Sequence, residues 1–360
     1  MSHKERYTHV CTMSNHPRVS IKDIAKAAGV SHSTVSRALS NSPLVQADTR
    51  ARIQRLAHEM GYSPDAWARS LVMGQTRAVG VVVTTIADPF IAEVTQGIES
   101  TSYEHGYTVI LASSNSDPER EMAAVEMLRS KRVDGVIVTS SRVGALYQDH
   151  LDRIGVPVVL LNNHSEQSGR YTFSVTVDNQ HGGHLATQHL IQLGHRRIAY
   201  ISGPAGHSSS EGRLEGYRQA LIEAGIVFDP ALVVPGNGRT EAGEQGLAAL
   251  RVLALPPTAV FCYNDVTAIG LLRAAKSSDL LVPQDWSVVG FDDIPFAACV
   301  SPSLTTIAQP QFEMGQQAMQ MLLTLMTAPT PSEAQVSDLV VKGQLIVRES
   351  SGPPRDPTSK

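Results

Sequence analysis

Cysteine is scarce in this 360-residue chain: Cys11, Cys262 and Cys299 stand far apart, without a CxxC pair. That excludes a disulfide framework or zinc knuckle and fits a reducing compartment. Long apolar runs are also missing, and none approaches the roughly 20 residues a helix needs to span a bilayer. The opening MSHKERYTHV lacks the apolar core of a secretory signal, so a cytoplasmic chain with no membrane partner is expected. Nucleotide and hydrolase loops are absent as well: there is no GxGxxG, no GxxxxGKS/T and no GxSxG. The nearest, GHSSSEG, has Ser210 where the last glycine should stand. His181, His184 and His189 in HGGHLATQH lack a third ligand on one helical face and read as a solvated helix. Neither catalysis, a metal nor a cofactor is expected.

What is present is an uneven charge. The chain carries a net charge of -4, yet residues 18–77 hold nine Lys/Arg (Arg18, Lys22, Lys26, Arg37, Arg50, Arg52, Arg55, Arg69, Arg77) against four acids (Asp23, Asp48, Glu59, Asp65). A small polyanion-binding head on an acidic body explains such an imbalance. The length implies two or three domains, and 42% apolar residues is ordinary for a globular protein.

Residues 1–18 show no periodicity and read as a disordered tail. Ile21, Ile24, Ala25 and Ala28 then share one helical face. Gly29 ends that helix. Ser31 caps a second, with Thr34/Val35, Ala38 and Leu39 inward. Asp48 or Thr49 starts a third, closed by Gly61. Ala25, Gly29 and Val35 have helix-turn-helix spacing; an αα-hairpin that binds nothing is the alternative. From Ala78 the texture changes to short β-branched runs without polar alternation, interleaved with helices near 118–131, 179–193, 211–224, 240–254, 265–275 and 311–327. This is the pattern of parallel sheets covered on both faces, in two similar α/β halves.

The motifs that follow one another along the chain are VSIKDIAKAAGVSHSTVSRALSNSPLVQADTRARIQRLAHEMGYSPDAWARSL, VGVVV at 79–83, DPF at 88–90, VDGVIV at 133–138, LGHRRIAYISGP at 193–204, GRLEGY at 212–217, FCYND at 261–265, VPQDWSVVGFDD at 282–293 and SPSLTTIAQP at 301–310. In that order they resemble the lactose-repressor/galactose-repressor (LacI/GalR) family of bacterial transcription regulators. The resemblance covers roughly residues 19–348. It implies an all-α helix-turn-helix head plus an α/β periplasmic-binding-protein-like body of two doubly wound parallel-sheet subdomains. The head would span 19–63 and a hinge helix and linker 64–77. The body would span 78–348, with an N-subdomain of 78–177 and 310–337 and a C-subdomain of 178–309 and 338–348. The Pro-rich 349–360 reads as a second disordered tail.

The resemblance also implies roles. His32 and Ser33 would reach major-groove base edges, and Arg37 a guanine edge or a phosphate. Ser31, Thr34 and Asn41 look like phosphate contacts. Leu71 would be the hinge leucine wedged into a minor-groove base step, with Ala68 small enough for the groove floor; Trp67 has no assigned role. Two heads on a homodimer imply a pseudo-palindromic operator on double-stranded DNA, bound in the cytoplasm at the nucleoid.

In the body, Asp88, Phe90, Asn115, Arg213, Asn264, Asp292 and Gln309 occupy the family's effector positions. Carboxylates, amides and a guanidinium around an aromatic suit a polyol. A helix-cap role is the alternative for Asn264, Asp265 and Asp292, and a structural ion pair for Arg213. His207, Ser208 and Ser209 stand where the purine-responsive branch uses Arg and Thr, and Gly238 where relatives place an aromatic wall. Tyr263 can replace that wall. A small sugar or sugar derivative is therefore expected, with repression relieved by inducer as the expected outcome and corepression or activation left open. A transport-type sugar-binding protein is the other reading; it leaves residues 19–75 unexplained. If Leu71 is the wedge, Leu71→Ala weakens specific DNA binding and spares salt-sensitive nonspecific binding, as titration against both kinds of DNA checks. Equal loss in both contradicts the wedge.

Overall fold

The computed structural model describes residues 19–62, 75–139, 155–162, 172–328 and 336–355. The expectations for the first tail, for Trp67, Ala68, Leu71 and most of the hinge, and for residues 356–360 lie outside the described residues. The chain divides into two compact units, residues 1–76 and 77–360.

In the first unit, α1 (Ile21–Ala28) opens with a capping box. The Asp23 amide donates to Ser20 Oγ and the Ser20 amide to the Asp23 carboxylate. Gly29, at φ 64°, turns the chain left-handed and ends the helix. α2 (His32–Leu39) starts at Ser31, whose Oγ accepts the Thr34 amide at 3.2 Å. α3 (Ala47–Glu59) begins a residue or two earlier than expected, with Gln46 at its N-cap and no side-chain cap. Asp48 sits inside the first turn, where a carboxylate favours the exposed amides without capping them. Ile24, Val35, Ala38 and Ile53 are fully buried and join the three helices.

The second unit contains two sheets. β11 (Leu339–Val341), β5 (Thr172–Val177), β4 (Val158–Leu161), β3 (Gly135–Thr139), β1 (Ala78–Val83) and β2 (Thr108–Ser113) lie in that order, all parallel. Alternation sorts their side chains. Val79, Val81 and Val83 meet α4 (Pro89–Glu104) and α10 (Gln311–Thr327) on one face, and Val82 meets Val125 and Leu128 of α5 (Pro118–Ser130) on the other. The second sheet runs β7 (Val233–Val234), β6 (Ile198–Ile201), β8 (Ala259–Cys262), β9 (Ser287–Val289), again parallel. Tyr200 and Phe261 face α6 (Asn179–Gln192) and α7 (Ser208–Glu223). Ile201 and Val260 face α8 (Thr240–Arg251) and α9 (Asp265–Ser277). Side chains running inward on both faces leave no room for polar alternation, which is why these strands read as continuous apolar runs.

Three helix pairs approach backbone to backbone through reciprocal glycines. A Cβ on Gly97 would strike the Phe312 carbonyl, and one on Gly315 the Val94 carbonyl. Gly183 and Gly216 stand in the same relation to Arg213 and Gln180, and Gly243 and Gly270 to Thr267 and Thr240. Close packing at these contacts fixes where each helix begins, and so where the loops before it lie.

The chain passes between the halves three times. The third passage corrects the expected boundary at 337: β11 still pairs with β5, so residues through Val341 belong to the first sheet. Only β12 (Gln344–Ile346) reaches the second half, pairing antiparallel with β10 (Thr306–Ala308). The Asp178 amide donates to the Val341 carbonyl at 2.8 Å, so the first and third passages are bonded to each other.

The expected second tail is also corrected. Ser350 is fully buried; its Oγ accepts the Thr305 amide at 2.8 Å and donates to the Val288 carbonyl at 2.6 Å. His195 Nε2 donates to the Gly352 carbonyl at 2.9 Å, and His189 Nε2 lies 2.9 Å from Ser351 Oγ. His189 is thus buried rather than solvated. His184 pairs instead with Glu223 at 2.7 Å, and no group of three potential metal ligands occurs among the described residues. Burial holds His189 and His195 below the ordinary imidazole range. Ser350→Ala removes both partners that the hydroxyl serves and is expected to cost about 1–3 kcal/mol in urea unfolding; unchanged stability would show that the segment does not brace the second half.

Candidate functional site

On the first unit, the buried stripe of α2 leaves His32, Ser33, Ser36 and Arg37 outward and exposed. Ser31 Oγ, the cap, shares hydrogen bonds of 2.8 Å with both Ser33 Oγ and Thr34 Oγ1. Ser33 is thus engaged in a local hydrogen bond on this exposed face. Asn41 turns the chain after α2 at φ 55° and accepts Gln54 Nε2 at 2.9 Å. Its side chain thus already serves the turn. Arg50 and Arg52 donate to the Val45 and Ala28 carbonyls, so part of the positive charge is spent within the unit.

On the second unit, a cleft opens where strands of both sheets end. Sheet order reverses between β1 and β3 and again between β6 and β8, and crevices at carboxyl ends form at such points. Thr84, Thr85, Asp88 and Phe90 follow β1, Ser116 follows β2 and Asn162 follows β4. His207, Ser209 and Arg213 come from the start of α7, Asn237, Gly238 and Arg239 from the loop before α8, and Tyr263, Asn264 and Asp292 from the ends of β8 and β9.

Arg213 is the centre of this arrangement. It is 3% exposed, with its guanidinium carbon 3.6 Å from the Phe291 ring centre and 4.5 Å from that of Tyr263. Nε donates to Asn179 Oδ1 at 2.9 Å, one terminal nitrogen donates to the Tyr263 carbonyl at 2.5 Å, and the other lies 3.5 Å from Asp292 Oδ1. Asp292 also accepts Gln309 Nε2 at 2.6 Å. Burial raises the Asp292 carboxyl well above its usual range, with Arg213 pulling it back and Asp265 and Asp88 adding to the rise. Burial likewise raises Asp88, which caps α4 by accepting the Phe90 amide at 3.0 Å. Tyr263 hydroxyl meets Ser209 Oγ at 2.9 Å. Such a cleft presents hydroxyl, amide, carboxylate and guanidinium groups against aromatic faces, the surface that a polyhydroxylated ring requires.

Residues 20–65 match the family described as bacterial regulatory proteins, lacI family, and residues 187–351 the periplasmic binding protein-like domain. The HTH-type transcriptional repressor CytR of Escherichia coli (strain K12) is 37% identical over 326 residues, 90% of this chain and 95% of CytR. The chain belongs to the LacI family. As a member it is a ligand-responsive, DNA-binding transcriptional regulator of the repressor type and not an enzyme. Two solved structures share the architecture. A lac repressor dimer bound to operator and the anti-inducer ONPF has a TM-score of 0.83 at 28% identity, covering 93% of this chain and 99% of that one. A complex of the transcriptional regulator CelR with cellobiose has a TM-score of 0.70 at 33% identity, covering 92% and 100%.

Of the positions expected in the LacI-type cleft, Asp88, Phe90, His207, Ser209, Arg213, Tyr263, Asn264 and Asp292 line it, and two do not. Asn115 is exposed, and its neighbour Ser116 lines the cleft instead: both adopt left-handed backbone, at φ 53° and 58°, and that turn swings Asn115 outward. Gln309 stands behind Asp292 as its donor, with its own Oε1 buried and lacking a hydrogen-bond partner. His207 and Ser209 sit at the head of α7, which starts at Ser208 rather than near 211. Asn264 lines the cleft and also caps α9, accepting the Thr267 amide at 2.9 Å. Phe291, Asn179, Thr84, Thr85, Asn162, Asn237 and Arg239 were missed. Phe291 and Asn179 carried no signal of their own, because only the fold brings them to Arg213.

Asp265 has a third role. Its carboxylate accepts Thr306 Oγ1 at 2.6 Å and the Ile294 amide at 2.9 Å, tying α9 to β10, the strand just before the second passage. Burial pushes its pKa up to about 7, against both hydrogen bonds. A carboxyl raised on folding adds stability below its ordinary pKa and loses it as pH rises through about 7. His189 and His195, held low, act oppositely on the acid side, so the comparison must be with Asp265→Asn, which keeps a donor and an acceptor for the same partners. Between about pH 5 and about pH 8 the wild-type melting temperature should fall relative to that of Asp265→Asn; parallel curves would place the titration elsewhere.

Proposed function

We propose that this LacI-family chain binds a pseudo-palindromic operator as a homodimer in the cytoplasm, at the nucleoid. His32, Ser33 and Arg37 read base edges, Ser31, Thr34 and Asn41 meet phosphates, and Leu71 with Ala68 works in the minor groove. A sugar or sugar derivative in the cleft draws the two halves together and alters the spacing of the segments at 64–75. That alters the order of the hinge helices and hence operator affinity. Induction is the favoured direction.

The observation that carries the effector reading is the buried Arg213 packed against the rings of Phe291 and Tyr263 and beside Asp292. Two vicinal hydroxyls match its remaining N–H groups and the neighbouring carboxylate. Support for the DNA reading comes from the exposed face of α2 and from the lac repressor dimer caught on its operator. Cellobiose in the CelR complex supports a saccharide.

Selection of the purified chain against random DNA should return two half-sites related by a twofold axis. Screening sugars, sugar phosphates, polyols and nucleobases by melting temperature should then find a sugar that stabilises the protein, by about 2.7 kcal/mol at a hundredfold excess over Kd, and weakens binding to the selected DNA. A nucleobase as the sole stabilising ligand would overturn the sugar reading and leave DNA recognition standing.

A further inference from the structure

Arg77 is the first residue of the second unit, immediately before β1. Its backbone is left-handed, at φ 55°. A non-glycine residue persists there only where its surroundings over-determine it, and such residues gather at switches. The surroundings are specific. The Arg77 amide donates to Asp134 Oδ2 at 2.9 Å, and its carbonyl accepts the Thr108 amide at 2.9 Å. Its guanidinium donates to the His105 carbonyl at 3.3 Å and lies 5.2 Å from the centre of the Tyr107 ring. Asp134 is itself placed by its own amide, which donates to the Ala78 carbonyl at 2.8 Å.

His105 is the C-cap of α4, and α4 starts at Asp88 and Phe90 in the cleft. At 16 residues, that helix is about 24 Å long. A guanidinium at its carboxyl end is favourably placed against the unsatisfied carbonyls there. One rigid element therefore has the cleft at one end and, at the other, the residue through which the chain enters the body.

We propose that Arg77, held by Asp134, is a positioning residue that fixes the backbone where the chain enters the second unit and thereby tunes operator affinity. It is not among the residues that line the cleft. The inference rests on the regulator reading above. Through the His105 carbonyl and the Arg77 side chain, α4 connects the cleft to that entry point.

The test uses the full-length chain and a DNA sequence selected by the wild type. Affinity for that DNA, affinity for unrelated DNA at the same salt, and melting temperature are measured for wild type, Asp134→Ala, Asp134→Asn and Arg77→Gly. Asparagine still offers an oxygen to the Arg77 amide; alanine does not. Glycine tolerates the left-handed backbone but removes the guanidinium. Asp134→Ala and Arg77→Gly are expected to lose about three- to thirtyfold in specific binding with nonspecific binding unchanged, and Asp134→Asn to stay within about twofold of wild type. Equal losses on both kinds of DNA, following the loss in melting temperature, would make the contact merely structural and overturn the proposal. So would an Asp134→Ala variant that binds like wild type. A wild type that selects no DNA would overturn the regulator reading, and this anchor with it, which distinguishes the two failures.

Discussion

A buried guanidinium must be paired and hydrogen-bonded or it costs several kcal/mol, and the body of this protein is organised around one. Arg213 comes from α7, yet what holds it comes from elsewhere: Asn179 at the start of α6, the Tyr263 carbonyl after β8, Asp292 after β9, and the rings of Tyr263 and Phe291. All converge only because parallel strands place their carboxyl ends on one side. Asp292 in turn accepts Gln309, which lies just beyond β10 at a passage between the halves. A group that lines the cleft is therefore bonded to a segment that passes between the halves.

The head follows a simpler logic. Its small core draws on three short helices, whose ends are set locally: a capping box at Ser20, a left-handed glycine at 29, a serine cap at 31. The same capping serine bonds Ser33 and Thr34.

Much of this was legible in the chain itself. The helix-turn-helix spacing, the caps and the β-branched runs depend on contacts between near neighbours, and the motifs at strand ends identified most of the cleft. What was not legible depended on distant partners. Asn115 and Ser116 are equally plausible by sequence, and two consecutive left-handed residues decide between them. Three prolines at the C-terminus suggested disorder, yet Ser350 fills a buried site between Thr305 and Val288. His189 looked like one of three surface histidines, and only its place opposite Ser351 shows that it is buried. The strand at 339–341 joined the first sheet through a parallel register with β5 that no local pattern announces.

By itself, then, the sequence determined the two kinds of unit, the positions of most helices and strands, and the chemical character of the cleft, because periodicity, capping and composition act over a few residues. Tertiary structure decided which carboxyl acts as cap, brace or partner of the guanidinium. Asp88 caps α4 at the cleft wall, Asp265 ties α9 to β10, and Asp292 stands beside the guanidinium. The three side chains are identical, and only burial and the neighbours brought by packing set them apart.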